Sequence, residues 1–218
     1  MNLKYRLLVF DWDGTLMDSA DEIIQCFHSA SADLGFTVPG AEEIRNIIGI
    51  GMHEAIIKLF PDLKTEADRQ KLIDAYRHFY FHPEKEPAPL FAGVAQMLKQ
   101  LEDDGFLLGV ATSKGRRGLD IALERTELNK VFHCTRCIDD AQSKPHPQML
   151  LDVLSYTGTE LAEALMIGDT EYDLQMANNA GVAGLGVGCG AHDVERLYAC
   201  EPVHCLDHTR ELREWLHT

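Results

Sequence analysis

The sequence of 218 residues contains no apolar segment near the roughly 20 residues that a membrane-spanning helix needs. At its start, MNLKYRLLVFDWDG, an aspartate interrupts the apolar stretch before a signal-peptide core is complete. Cations are also scarce, because Lys and Arg total 20 against 35 Asp and Glu, which gives a net charge of −15. Such a chain repels nucleic-acid phosphates and anionic lipid surfaces. We therefore expect a cytosolic protein that binds neither nucleic acid nor membranes.

Cysteine is too scattered to predict a zinc site or a disulfide framework. The six cysteines include one C-x-x-C pair, Cys134 and Cys137, but no second pair at metal-ligand spacing. This pair lies in a strand-like stretch, where residues i and i+3 point to opposite faces of a sheet. We therefore expect reduced thiols. The ten histidines also lack metal-ligand spacing.

Short apolar runs alternate with helical segments along most of the chain. The runs are Leu7 to Phe10, Phe106 to Ala111, Leu165 to Ile167 and Val182 to Val187. They suit buried parallel strands, which are apolar on both faces. Between them, apolar residues recur at the three- and four-residue spacing of amphipathic helices. This order predicts an α/β fold with a doubly wound, Rossmann-like parallel sheet.

The segment after the first strand breaks this alternation, because its apolar residues recur only at helical spacing. A helical block in this position predicts an inserted subdomain. A proline-rich stretch from Pro83 to Pro89 cannot continue a helix and marks the return of the chain. We predict a discontinuous α/β core of residues 1–16 and 88–218, and an inserted helical cap of residues 17–87.

Polar residues follow the predicted strands, at the sheet edge where open parallel sheets bind ligands. They are Asp11 and Asp13 after the first strand, Thr112 and Ser113 after the next, Asp169 and Asp173 after the third, and Lys144 in the preceding loop. Each alone has an ordinary structural explanation, such as a turn or a helix cap. Four carboxylates at one edge, however, exceed the charge that one lysine can balance. Mg²⁺, which prefers carboxylate and backbone oxygen, would supply the difference.

The same residues resemble the four motifs of the haloacid dehalogenase superfamily. DWDGTLMDS resembles the first motif, Thr112 the second, Lys144 in SKPHP the third, and GDTEYD the fourth. The helical insertion resembles the α-helical, C1-type cap of that superfamily. The similarity extends over nearly the whole chain, so it implies both the fold and a phosphatase activity.

The resemblance assigns a chemical role to each motif. Asp11 would be the nucleophile that forms an aspartyl-phosphate, and Asp13 the general acid and then the general base. Thr112, with the backbone N–H groups of Gly14 and Ser113, would hold the phosphoryl oxygens. Lys144 would neutralise Asp11 and the phosphate. The metal ligands it implies for Mg²⁺ are Asp11, Asp169 and the backbone carbonyl of Asp13, with Asp173 nearby.

Two differences from particular subgroups of the superfamily narrow the range of expected reactions. Dehalogenases and phosphonatases of the superfamily lack the aspartate that is present here as Asp13, so the resemblance favours phosphate esters. Members that isomerise sugar phosphates carry a cap histidine where this sequence has Ile23, which disfavours a mutase. A phosphomutase, a pyrophosphatase or nucleotidase, and a non-enzymatic binding module remain the alternatives.

The cap segment from Ile44 to Gly51 resembles that of phosphoglycolate phosphatases. Arg45 would then bind a substrate carboxylate, unless it only pairs with Glu42 one turn away. Because of this resemblance, phosphoglycolate is the leading candidate among small phosphorylated metabolites. We expect the protein to be a monomer or weak dimer.

Overall fold

The computed structural model describes residues 4–218 and has the predicted alternation of strands and helices. The strands are β1 (Leu7–Phe10), β2 (Leu107–Thr112), β3 (Cys134–Cys137), β4 (Ala164–Gly168), β5 (Ala183–Val187) and β6 (His204–Leu206). The α-helices are α1 (Ala20–Asp33), α2 (Ala41–Arg45), α3 (Met52–Leu59), α4 (Glu66–Tyr80), α5 (Val94–Asp103), α6 (Arg116–Arg125), α7 (Gln148–Thr157), α8 (Glu171–Ala180), α9 (Val194–Tyr198) and α10 (Leu212–Leu216). None of these described helices is both long and apolar enough to span a membrane.

The strands form one parallel sheet of six, in the order β3-β2-β1-β4-β5-β6. The central strand β1 pairs with β2 on one side and β4 on the other, with Phe10 level with Val110 and Ile167. The chain therefore winds outward from β1 in both directions, which confirms the doubly wound, Rossmann-like fold. The carboxyl ends of β1 and β4 meet where the winding reverses, and ligands bind in the crevice at such a switch point.

Strand β6 was not predicted. It has three residues and lies at the sheet edge beside β5. Three residues are too few to show a period, and the sequence His-Cys-Leu is not a continuous apolar run. Pairing with β5 therefore decides its conformation, and this tertiary contact leaves no local pattern.

Two apolar clusters cover the two faces of the sheet. Leu8 and Phe10 belong to one cluster and Leu7 and Val9 to the other, as expected when successive strand residues point to opposite faces. All four side chains are fully buried. Cys134 and Cys137 likewise lie in different clusters, and all the cysteines are free thiols. The sheet is therefore rigidly packed beneath the edge that carries the polar residues.

Helices α1 to α4 have an apolar cluster of their own, separate from the two on the sheet. The chain enters and leaves these helices through two adjacent segments. The backbone N–H of Asp18 donates to the carbonyl of Pro89, and that of Phe91 donates to the carbonyl of Leu16. A helical block joined to the sheet through paired connections is the arrangement expected of a cap. Its assignment to residues 17–87 stays a prediction.

Candidate active site

Three buried carboxylates meet where β1 and β4 end. Asp11 directly follows β1, Asp169 directly follows β4, and Asp173 lies in the first turn of α8. One oxygen of each lies within 4.8 Å of the others. The fully buried Lys144 donates to Asp11 Oδ1 at 2.5 Å and to Asp173 Oδ1 at 2.6 Å. The sheet edge thus brings together four of the residues predicted from the sequence.

This cluster carries more negative charge than Lys144 balances. Burial raises the pKa of Asp11 to about 7, against the opposing effect of Lys144 and with a further rise from the charge of Asp173. Burial and the charge of Asp11 likewise raise the pKa of Asp169 well above its ordinary value. Burial alone would lower the pKa of Lys144, but the two carboxylates beside it raise the value, so its ammonium stays charged. With all three carboxylates ionised, two negative charges are left unbalanced.

The donor set fits a hard divalent cation, because two unbalanced charges and carboxylate oxygens are what Mg²⁺ prefers. Asp173 already uses both oxygens. Its Oδ1 binds Lys144, and its Oδ2 accepts from the Thr170 backbone N–H at 3.1 Å and hydroxyl at 2.7 Å. Each oxygen of Asp169 accepts only one bond, from a neutral donor, and Asp11 Oδ2 accepts none from any described residue. Asp11 and Asp169 are therefore the carboxylates best placed to hold the cation, while Asp173 positions Lys144 beside Asp11.

Two glycines enclose Asp169. The Thr15 hydroxyl donates to its Oδ1 at 2.7 Å, and the Ala191 N–H donates to its Oδ2 at 2.8 Å. A Cβ atom added at Gly14 or Gly190 would lie 2.2 or 2.1 Å from Asp169 Oδ2. Gly14 also has a φ of +85°, which side chains rarely adopt. Any other residue at Gly14 would therefore displace Asp169.

Asp13 forms a separate ion pair with Lys114, a residue that the sequence analysis missed. Lys114 Nζ lies 2.8 and 3.0 Å from the two Asp13 oxygens, and the Ser19 hydroxyl donates to Oδ1 at 2.8 Å. Burial alone would lower the pKa of Lys114, but the Asp13 carboxylate raises the value. The Tyr80 ring on α4 lies 5.0 Å from Nζ. The sequence signal was weak because a lysine in a loop is most often a solvated surface residue.

Hydroxyl groups join the segment before α3 to the sheet edge. The Ser113 hydroxyl donates to the carbonyl of Gly49 at 2.6 Å. The Ser143 hydroxyl accepts from the backbone N–H of Gly51 at 2.8 Å. The backbone N–H of Ser113, which is predicted to hold a phosphoryl oxygen, takes part in neither of these two bonds. The helices therefore lie directly over the carboxylates.

A cavity of about 420 Å³ lies between the sheet edge and the helices above it. Asp11, Asp13, Thr112 and Ser113 line its floor. Its opposite wall is largely apolar and includes Ile23, Phe27, Ile47, Ile50, Met52 and Tyr76. This volume is typical of a small-molecule site, and an apolar wall with a few convergent polar groups is usual for such sites.

Arg45 is not among the described residues that line this cavity. Its guanidinium binds Glu42 at 2.6 Å, one turn away, and Asp21 at 3.4 Å. Ion pairs at i,i+3 spacing are common on exposed helices. The position of Arg45 therefore does not support the prediction that it binds a substrate carboxylate, and we leave it out of the proposed site.

His192 holds the loop that supports Asp169. It follows Ala191, and its Nδ1 accepts from the backbone N–H of Glu171 at 3.1 Å. Burial lowers the pKa of His192 to about 4, and the nearby Arg196 adds to the effect. The folded protein therefore keeps this imidazole neutral at a pH where an exposed histidine is protonated.

We expect the contribution of His192 to stability to be lost as the pH falls from about 6.5 toward 4, because the unfolded chain protonates this residue first. The raised pKa values of Asp11 and Asp169 act in the opposite direction, so the contribution is measured as the difference between the wild type and a His192 variant. This residue should account for about 2 kcal/mol of unfolding free energy between about pH 7.5 and pH 5. His192→Asn keeps an acceptor near the Nδ1 position and should remove this pH-dependent contribution to the unfolding free energy. Urea unfolding of both proteins at the two pH values measures it. An equal change in unfolding free energy in both proteins would contradict the assignment.

Comparison with known proteins places the chain among hydrolases. The model of the haloacid dehalogenase-like hydrolase family matches residues 8–187. The protein named probable phosphatase IndB from Dickeya dadantii is 34% identical over 207 residues, which cover 92% of this chain and 89% of that protein. Pyrophosphatase PpaX from Bacillus cereus is 28% identical over 211 residues, which cover 96% of this chain and 95% of that protein.

Solved structures share the fold over nearly the whole chain. A haloacid dehalogenase-like hydrolase from Bacteroides fragilis has a TM-score of 0.89 and 25% identity, covering 96% of this chain and all of that one. A predicted phosphoglycolate phosphatase from Haemophilus somnus has a TM-score of 0.87 and 21% identity, covering 99% of each chain. The second likeness is one of fold alone.

Proposed function

Because the chain belongs to the haloacid dehalogenase-like hydrolase family, we propose that it is a phosphatase that hydrolyses a small organic phosphate ester. The observation that carries this proposal is the buried Asp11, bound to Lys144 on the floor of the cavity. The name of the Dickeya relative, a probable phosphatase, supports the same reaction.

Asp11 has the surroundings of a nucleophile. Lys144 holds its Oδ1, whereas Oδ2 accepts no hydrogen bond from any described residue. Oδ2 would attack phosphorus, form an aspartyl-phosphate and displace the alcohol oxygen of the ester. Thr112 and the backbone N–H groups of Gly14 and Ser113 would bind the phosphoryl oxygens, where negative charge gathers in the transition state.

Asp13 would donate a proton to the leaving oxygen and then accept one from the water that hydrolyses the aspartyl-phosphate. Both steps need a carboxyl group in a fixed position. Lys114 and Ser19 restrain its two oxygens through three hydrogen bonds. In this mechanism Lys114 is a positioning residue that acts through Asp13.

We propose Mg²⁺ as the metal, held by Asp11 and Asp169, with the backbone carbonyl of Asp13 as the further ligand that the family resemblance implies. When bound, Mg²⁺ neutralises the clustered carboxylates and the phosphoryl oxygens during transfer. The protein itself keeps Asp169 in place through Thr15 and Ala191.

The apolar wall of the cavity favours an organic ester over inorganic pyrophosphate, since pyrophosphate has no group to contact it. Pyrophosphate is the second candidate because the Bacillus relative is named a pyrophosphatase. Ile23 lines the cavity where a mutase would need a proton-transferring histidine, so release of phosphate is expected rather than its return to the substrate. Phosphoglycolate remains the leading candidate substrate because the cap segment from Ile44 to Gly51 resembles that of phosphoglycolate phosphatases, although Arg45 is not proposed to bind it.

Phosphate release from a panel of phosphate esters tests the proposal. The panel should contain two- to six-carbon phosphates, nucleotides and pyrophosphate, ranked by kcat/KM. We expect an organic ester to rank first and pyrophosphate well below it. Pyrophosphate in first place would replace the proposed substrate class, and no release from the whole panel would favour a binding module.

Replacing Lys114 by methionine should weaken turnover in a way that depends on the leaving group. A positioned general acid contributes about 10²- to 10⁴-fold, so loss of its restraint should cost about tenfold on alkyl phosphates. The loss on p-nitrophenyl phosphate should be smaller, because nitrophenolate leaves without a proton. The two kcat/KM values report the phosphorylation step and not the later hydrolysis of the shared aspartyl-phosphate. They are compared with those of Lys114→Arg, which keeps the charge and should recover part of the loss. Equal losses on both substrates would mean that Lys114 only supports the fold.

A further inference from the structure

The rim of the cavity carries cations that the proposed chemistry does not use. A smaller cavity of about 280 Å³ adjoins the rim and is lined by Arg77, His78, Phe81, His82, Pro83 and Arg117. Arg77, Phe81 and Arg117 also line the larger cavity above Asp11. No acidic residue is among the described residues that line the smaller one, although acids outnumber cations by 35 to 20 in the chain. We call Arg77, His78, His82 and Arg117 the basic rim.

Arg117 is the clearest member of the basic rim. Its guanidinium lies over the Phe81 ring, 4.2 Å from the centroid, and it forms no ion pair with any described carboxylate. The neighbouring Arg116, by contrast, is bound to Asp140 at 2.5 Å. Stacking on Phe81 restrains the plane of the Arg117 guanidinium and leaves its N–H donors without a carboxylate acceptor.

Arg77 faces the same cavities from helix α4. Its nearest carboxylate is Asp74, at 3.9 Å, and its side chain is 61% exposed. A pair this long and this exposed holds an arginine weakly. Two arginines, one from α4 and one from α6, therefore reach a shared cavity with most of their donors unused.

A continuous series of contacts joins Arg117 to the acid–base residue. Lys114 binds Asp13, and the Tyr80 ring lies 5.0 Å from Lys114 Nζ. The Tyr80 and Phe81 rings lie 5.1 Å apart, and Arg117 covers Phe81. Four contacts, through Phe81, Tyr80 and Lys114, thus connect the guanidinium to Asp13. Asp13 and Arg117 also line the same larger cavity, so one substrate in that cavity lies between them.

We propose that Arg117 and Arg77 bind a second oxyanion, a carboxylate or a second phosphate, at the non-reacting end of the substrate. Guanidinium groups bind both kinds of oxyanion through paired hydrogen bonds. This inference rests on the proposed phosphatase activity, since it concerns the substrate of the same cavity. It replaces Arg45 as the source of anion recognition.

Matched pairs of phosphate esters test the inference and separate the two kinds of oxyanion. The carboxylate pairs are 6-phosphogluconate with glucose 6-phosphate, and 2-phosphoglycolate with ethyl phosphate. The phosphate pair is fructose 1,6-bisphosphate with fructose 6-phosphate. In at least one pair, we expect the wild type to prefer the member that carries a second anionic group besides the reacting phosphate. Arg117→Gln and Arg77→Gln should each lower kcat/KM for that member by about tenfold, mainly through KM, as expected for loss of one charge-assisted contact.

The kcat/KM for the member that lacks the second anionic group should change by less than twofold. Arg125→Gln is the matched control, because it removes the same charge from the far end of α6 and does not line either cavity. A comparable loss in Arg125→Gln, or equal losses on both members of a pair, would overturn the inference. A selective loss in Arg45→Gln instead would return the role to Arg45.

The same assays distinguish failure of this inference from failure of the proposed phosphatase function. Hydrolysis of all the esters without any preference for a second anion would overturn the inference and leave the phosphatase assignment in place. No Asp11-dependent hydrolysis of any ester would overturn both. Thermal unfolding of each variant, expected to match the wild type because both arginines are exposed, shows that the kinetic changes do not come from misfolding.

Discussion

Replacing Asp11 by asparagine should lower kcat by at least about four orders of magnitude, since the variant lacks the carboxylate that forms the covalent intermediate in the proposed mechanism. Asparagine keeps the shape of the side chain and can still accept from Lys144, so the fold should persist. An amide oxygen is a much weaker nucleophile than a carboxylate. The loss should therefore appear on every substrate, including p-nitrophenyl phosphate, whose leaving group needs no proton.

Asp13→Asn is the informative partner variant for this experiment. It should also lose turnover, by about 10²- to 10⁴-fold, because it lacks the proposed general acid and base. Its Asp11 remains intact, however, so p-nitrophenyl phosphate should still phosphorylate the protein. Intact-mass analysis after rapid acid quenching should detect one added phosphoryl group in Asp13→Asn and none in Asp11→Asn. Turnover within tenfold of the wild type in Asp11→Asn would exclude the covalent mechanism.

The catalytic candidates could be predicted from the sequence because the end of a buried strand is visible as an apolar run followed by a polar residue. A buried parallel strand is an apolar run, and Asp11 and Asp169 are the first polar residues after two such runs. Parallel strands end at the same edge, so the sequence alone predicts that these carboxylates meet. The contact of Lys144 with Asp11 and Asp173 follows from a loop whose position only the motif resemblance indicated.

The residues that surround the substrate could not be predicted in the same way. Lys114 and Arg45 are both cations near a helix, and no local pattern shows that one is buried against Asp13 while the other pairs with Glu42 on the surface. Arg77 and Arg117 lie 40 positions apart and come together only because the end of α4 and the start of α6 line the same cavities. Cavity walls depend on such tertiary contacts, whereas the catalytic floor depends on where strands end.

Removal of divalent metal should abolish turnover, and Mg²⁺ should restore it. The reason is the charge at the sheet edge, where Lys144 offsets one of three buried carboxylates. A phosphate ester brings further negative charge to Asp11, so attack without a cation meets electrostatic repulsion in a site of low dielectric. Activity is measured after exhaustive treatment with EDTA and again after addition of excess Mg²⁺. Full activity in the chelator would show that the cluster does not need a metal.

The same charge excess predicts how stability responds to metal. A buried charge without a partner destabilises a fold, so in EDTA at about pH 8 the Asp11→Asn protein should melt at a higher temperature than the wild type. Mg²⁺ binds only the folded state and at 100 times its dissociation constant adds about 2.7 kcal/mol, so it should reverse this order. Ca²⁺ carries the same charge but has longer bonds and a looser shell, and it should stabilise the wild type without restoring turnover. If Mg²⁺ raised the melting temperatures of both proteins equally, Asp11 would not be a metal ligand. The metal would then have to bind away from the nucleophile.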